Sequence, residues 1–112
     1  MPGGSAYPGS ADDLARYRAL VDRHGGSEVK GAKNPYTSVN GWMASFLDPD
    51  GLICLRLDAG DHAELLATGG SAVQQYGRNM PDFVALPTPA DDAFADRWFA
   101  RSWDHTASLD PK

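Results

Sequence analysis

Apolar residues change their spacing several times along the chain, and each change marks an element. Leu14, Tyr17, Val21 and His24 fall at i, i+3, i+7 and i+10, with Leu20 beside them, while Arg16, Arg18 and Arg23 take the other side. That is the pattern of an amphipathic helix. Ser10 predicts its start, with Asp13 three residues on and Asp12 adding negative charge where the helix dipole is positive; Gly25-Gly26 predicts its end. Residues 27–33 place Val29 and Gly31 among charges, which predicts a poor edge strand, since charge blunts edge pairing.

The chain is organised around the stretch from Lys33 to Trp42 and the two apolar runs that follow it, 43–47 and 52–57, joined by Asp48-Pro49-Asp50-Gly51. Proline presets φ at the first corner, aspartate tolerates the second, and glycine takes the left-handed exit, so the pattern predicts a central β-hairpin. In the second run Ile53, Leu55 and Leu57 alternate with Leu52, Cys54 and Arg56, which sends the first trio to the core. The first run is apolar on both faces, and its assignment follows the turn. A four-residue loop pairs Leu47 with Leu52 and turns Trp42 and Phe46 inward; a three-residue loop with a glycine bulge reverses this.

Asp58 predicts the cap of a short helix over 59–68, with Ala63, Leu65 and Leu66 on its buried side and Gly69-Gly70 at its end. Residues 72–76 and 83–86 read as two more strands around the turn-rich segment 77–82. Pro87-Thr88-Pro89 stops the last strand, and Asp91-Asp92 occupies the first turn of a final helix with the stripe Ala95, Trp98, Phe99, Ser102, Trp103 and Thr106. The order α-β-β-β-α-β-β-α predicts an α+β fold, a two-layer α/β sandwich with one antiparallel five-stranded sheet and helices on one face.

Length and charge then narrow the picture. A chain of 112 residues supports one core. Residues 1–9, rich in Gly, Pro and Ser, read as a disordered leader before a single domain over 10–112. The net charge of -5 disfavours phosphate backbones and anionic lipid, so neither direct binding of duplex DNA nor a membrane association is expected. The imbalance is uneven: residues 1–57 hold six acidic and six basic side chains, residues 58–112 nine and four. A lone cysteine, Cys54, points to a reducing cytoplasm, and neither a secretory leader nor an apolar run near the length of a membrane span is evident.

Four blocks stand out in order: Lys33-Asn34-Pro35-Tyr36, Asn40-Gly41-x-Met43, Leu55-Arg56-Leu57 and Tyr76-Gly77-Arg78-x-Met80. Together, over about residues 10–112, they resemble the TfoX N-terminal domain family, whose namesake TfoX or Sxy is a regulator of natural competence in bacteria. The resemblance implies a fold similar to the secretion-chaperone-like and YjbR-like domains. It also implies a non-enzymatic role through protein contacts, regulatory in kind, with this chain matching the N-terminal domain without the C-terminal helical domain of the namesake. It carries over no catalytic residue.

The residues themselves suggest little chemistry. Cys54 and the three histidines, His24, His62 and His105, show no CxxC, HxxH or HExxH spacing, so no metal or cofactor is expected and a structural reading of Cys54 is favoured. Ser38 and Ser45 lie in no G-x-S-x-G elbow, Asp48 and Asp50 lack the rest of a calcium loop, and Asp91-Asp92 is explained by the helix dipole. The candidate binding cluster is Lys33, Asn34, Tyr36, Arg56 and Arg78, with Lys30 nearby, polar or basic groups around the sheet of an acidic chain. Its expected occupant is a protein partner, with homodimerisation also open. The alternatives are a small-ligand or enzyme pocket near Tyr36, Arg56 and Arg78, or a nucleic-acid-binding module. Met43 and Trp103 are weighed between core packing and an exposed self-association patch.

Overall fold

The computed structural model describes residues 6–75, 77–88 and 90–112. Three N-caps start its three helices. Ser10 accepts from the Asp13 amide at α1 (Ala11–His24), Asp58 from the Asp61 amide at α2 (Ala59–Ala67), and Asp91 from the Phe94 amide at α3 (Asp92–Ala107). Five strands, β1 (Tyr36–Val39), β2 (Trp42–Leu47), β3 (Ile53–Arg56), β4 (Ser71–Gln75) and β5 (Arg78–Ala85), form one antiparallel sheet in the order β1-β2-β3-β5-β4. The predicted α+β sandwich and its element order are therefore observed.

The core lies between the helices and one sheet face. Leu47, Ile53, Leu55, Leu57, Val84 and Leu86 pack there against Tyr17, Leu20 and Val21 of α1, Leu65 of α2, and Ala95, Trp98 and Phe99 of α3. The other face carries a second cluster of Phe46, Cys54, Val73, Phe83 and Ala85, flanked by Tyr36, Met43, Leu52 and Met80, to which no described helix contributes. The hairpin after β2 decides this division. Leu47 pairs with Ile53, the Gly51 amide donates to the Asp48 carbonyl at 3.0 Å, and Gly51 has φ +87°, so the loop is the three-residue form with its glycine in the left-handed region. Leu47 consequently faces the helices, and Phe46 faces away from them.

Several elements depart from the sequence reading. The first strand is β1, not residues 27–33, of which Lys30 forms only an isolated bridge to Tyr36. The reason is the Asn40-Gly41 corner, with φ +57° and +82°, which closes a two-residue hairpin between β1 and β2. Ala44 has no cross-strand partner, because Ser45 pairs with Thr37 and Met43 with Ser38; this bulge lets Met43 join Phe46 in the second cluster despite their odd spacing. Only Leu65 of α2 is buried, whereas Ala63 is exposed and Leu66 remains 38% exposed, since α2 meets the sheet along a single line of side chains. Residues 1–5 of the leader lie outside the described residues. Its other end is seated: Tyr7 packs against the core and its hydroxyl donates to the Asp48 carbonyl, because one aromatic ring outweighs the surrounding glycine and proline.

The largest departure is β5, which starts at Arg78 instead of 83. Ala72 pairs with Val84 and Gln74 with Asn79, so residues 80–83 arc opposite the single residue Val73. Pro81, which cannot donate to a ladder, sits inside that arc where no cross-strand bond requires its nitrogen. Tyr76, expected at the end of the preceding strand, lies outside the described residues.

Candidate functional site

That arc builds the site. β3 pairs with β5 only over Phe83 to Ala85, so Arg78 and Asn79 at the start of β5 pair with β4 alone and form the end of a two-stranded ribbon beyond the main sheet. Residues of this ribbon, Gln75, Arg78 and Met80, line one groove together with Asn34, Pro35 and Tyr36 at the opposite edge strand, Met43, Phe46 and Leu47 of β2, and Asp48 and Pro49. In strand order β1 and β4 are the two outermost strands. A shared groove therefore requires the ribbon to fold across the open face, and the bulged arc at 80–83 supplies the bend.

The groove encloses about 350 Å³. Its walls are apolar, with Pro35 and Phe46 buried and Tyr36, Met43 and Met80 half-buried. The polar groups Asn34 and Arg78 are exposed. Asp48 is the one carboxylate among the lining residues, and it is spent inside the turn. It is 7% exposed, and its Oδ1 accepts from the Asp50 amide at 3.0 Å and the Leu52 amide at 2.8 Å, an Asx-type closure of the hairpin.

Of the residues singled out from the sequence, Asn34, Tyr36 and Arg78 thus meet in one groove. Lys33 is exposed next to Asn34 in the chain but does not line the groove. Arg56 is elsewhere. Its Nε donates to the Met43 carbonyl at 2.8 Å, its guanidinium lies 4.7 Å from the Phe83 ring centroid and 5.3 Å from that of Trp42, and it pairs with Asp82 at 3.3 Å. Such a side chain ties strands together, and little of it is left for a partner. Lys30 donates to Ser38 Oγ at 3.1 Å and so braces the β1 edge. Pro35, Phe46, Gln75 and Met80 were missed. The Asn40-Gly41 dipeptide marks a two-residue hairpin, but the bulge at Ala44, which no local pattern announces, is what sets Tyr36 opposite Phe46.

Cys54 is fully buried under the second cluster, and burial pushes its thiol well above the ordinary range, with the Asp48 carboxylate adding to the rise. It does not line the groove. The expected result is that a disulfide reagent labels Cys54 only as fast as the protein unfolds, and that Cys54→Ser, which puts a hydroxyl in an apolar site, costs about 1–3 kcal/mol while Cys54→Ala costs less. Rapid labelling under native conditions would contradict this. Among the described residues no group of three or more His, Cys, Asp or Glu could hold a metal ion, and no helix is long and apolar enough to cross a membrane. No family model, curated protein or solved structure matches this chain.

Proposed function

We propose that this chain is a non-enzymatic recognition domain of the TfoX N-terminal type that works by seating an apolar segment of a protein partner in the groove of the open sheet face. The observation that carries this reading is the groove itself, whose walls of Pro35, Tyr36, Met43, Phe46 and Met80 offer apolar surface that no described helix covers. Two methionines among them suit a surface that adapts to its occupant, because the thioether chain repacks at little cost. A regulatory role, related to competence or transcription, rests on the resemblance alone. A cytoplasmic setting rests on the single free thiol, Cys54.

The test is photo-crosslinking in the native cell. A benzophenone amino acid placed at Met80 or at Tyr36 should capture a discrete protein, and the same group at exposed Asp104 on α3 should not. A second copy of the chain as the captured species would identify the partner as a homodimer. Equal labelling from Asp104, or no protein adduct from either groove position, would defeat the reading. A small molecule retained on the purified chain in native mass spectrometry, and lost on Phe46→Ala, would replace the protein partner with a ligand; a volume of about 350 Å³ is within the range of ligand sites.

A further inference from the structure

We infer that the groove selects segments in which apolar side chains are followed or preceded closely by a carboxylate, and that Arg78 is the residue that reads the carboxylate. The inference rests on the recognition role proposed above and names the chemistry of the partner. It begins from the distribution of cations. Of ten lysines and arginines, Arg16, Arg23, Arg56 and Arg101 are held in ion pairs with aspartate or glutamate. Arg97 lies over Phe94, Lys112 over Trp42, and Lys30 donates to Ser38. Arg18, Lys33 and Arg78 make no such contact among the described residues; all three are exposed, and of them Arg78 lines the groove.

In a chain of net charge -5, an exposed cation that forms no ion pair with the described residues, beside an apolar groove, is a ready site for a partner's anion. The lining carboxylate is not its partner: Asp48 is buried, and its Oδ1 accepts from two backbone amides of its own turn. The remaining polar side chains of the lining, Asn34 and Gln75, are uncharged and can donate to or accept from an extended backbone. Lys33, exposed and adjacent to Asn34 in sequence, adds to the positive field on that flank. A planar guanidinium holds a carboxylate through two parallel hydrogen bonds, and a lone arginine suits that singly charged group better than a phosphate, which is met by clusters of arginines. Apolar walls for side chains and one arginine for a charge are complementary to an acidic, amphipathic peptide.

Random heptapeptides displayed on phage and selected in parallel on the full chain and on its Arg78→Glu variant test this directly. The wild-type chain should enrich peptides that combine two apolar residues with Asp or Glu, and Arg78→Glu should enrich Lys or Arg at the same place. A synthetic copy of an enriched peptide should lose about tenfold in affinity when its acid is replaced by the amide, and about as much on Arg78→Glu, the size of one charge-assisted hydrogen-bonded pair. Arg78 is exposed, so thermal melting of the variant should match the wild type. Enriched peptides without an acid, affinities within twofold on Arg78→Glu, or no enrichment at all would overturn the inference. The crosslinks from Met80 and Tyr36 are independent of that outcome: if they persist, recognition through the groove stands and only the carboxylate rule fails.

Discussion

Phe99→Ala is expected to lower the stability of the chain by about 3–5 kcal/mol, the usual cost of truncating a buried aromatic without refilling its volume. Phe99 is almost wholly buried, stands edge-on to His24 of α1 with ring centroids 5.0 Å apart, and stacks on Trp103 of its own helix at 6.4 Å. Removing the ring opens the seam between α1 and α3 as well as the contact of α3 with the sheet. Trp98→Ala should be of similar size, since Trp98 shares the same core cluster. Against a typical total of about 5–15 kcal/mol, either change removes about a fifth of the stability or more. Urea unfolding provides the measurement, and losses under about 1 kcal/mol for both variants would mean that α3 does not hold the core.

The second large effect is alkaline. Tyr17 is fully buried, its hydroxyl is 2.7 Å from Ser45 Oγ, and Ser45 Oγ is 2.6 Å from Thr37 Oγ1, a chain of three hydroxyls inside the core. Burial pushes the Tyr17 phenol from 10.0 up to about 12, although hydrogen bonding within the Tyr17-Ser45-Thr37 chain of hydroxyls opposes the rise. In the unfolded chain the phenol ionises near pH 10, so the folded state holds the proton more tightly. The associated stability is intact below pH 10 and is lost as pH climbs towards 12, by about 3 kcal/mol in all. Tyr17→Phe abolishes that titration and gives up one hydrogen bond, which costs about 1 kcal/mol at neutral pH. The two stability profiles should therefore cross between pH 10 and 12. Parallel profiles over that interval would show that Tyr17 ionises as readily folded as unfolded.

Much of the fold was legible because local rules were strong where they applied. The caps Ser10 and Asp58, the glycine after α1, the alternation in β3 and the aromatic stripe of α3 all read correctly, each being a pattern within a few residues that one interaction explains. The weak readings had competing signals. Residues 27–33 and β1 are both short and polar, and only the positive φ at Asn40 and Gly41 distinguishes the true strand. Leu66 matched the buried pattern of α2 and is exposed, because a short helix at one end of a sheet has little surface to cover.

The site was half legible. Asn34, Tyr36 and Arg78 were chosen as polar residues near the sheet and do converge; Arg56 was chosen for the same reason and is consumed by Met43, Trp42, Phe83 and Asp82. Nothing in the types or spacing of these four separates one outcome from the other. Whether an arginine is committed depends on which acceptors and rings fall within reach, and those come from strands distant in sequence.

By itself the sequence determined the kinds of element and their order, the antiparallel hairpins and the face of β3 that enters the core, all of which follow from short-range periodicity and turn chemistry. Tertiary structure alone decided the rest: the three-residue turn that sends Phe46 away from the helices, the bulge at Ala44 that brings Met43 beside it, and the arc of 80–83 that bends the β4–β5 ribbon across the open face. Each is a one-residue or few-residue adjustment of register, nearly neutral locally, and selected by the packing of side chains that meet only after the sheet has formed.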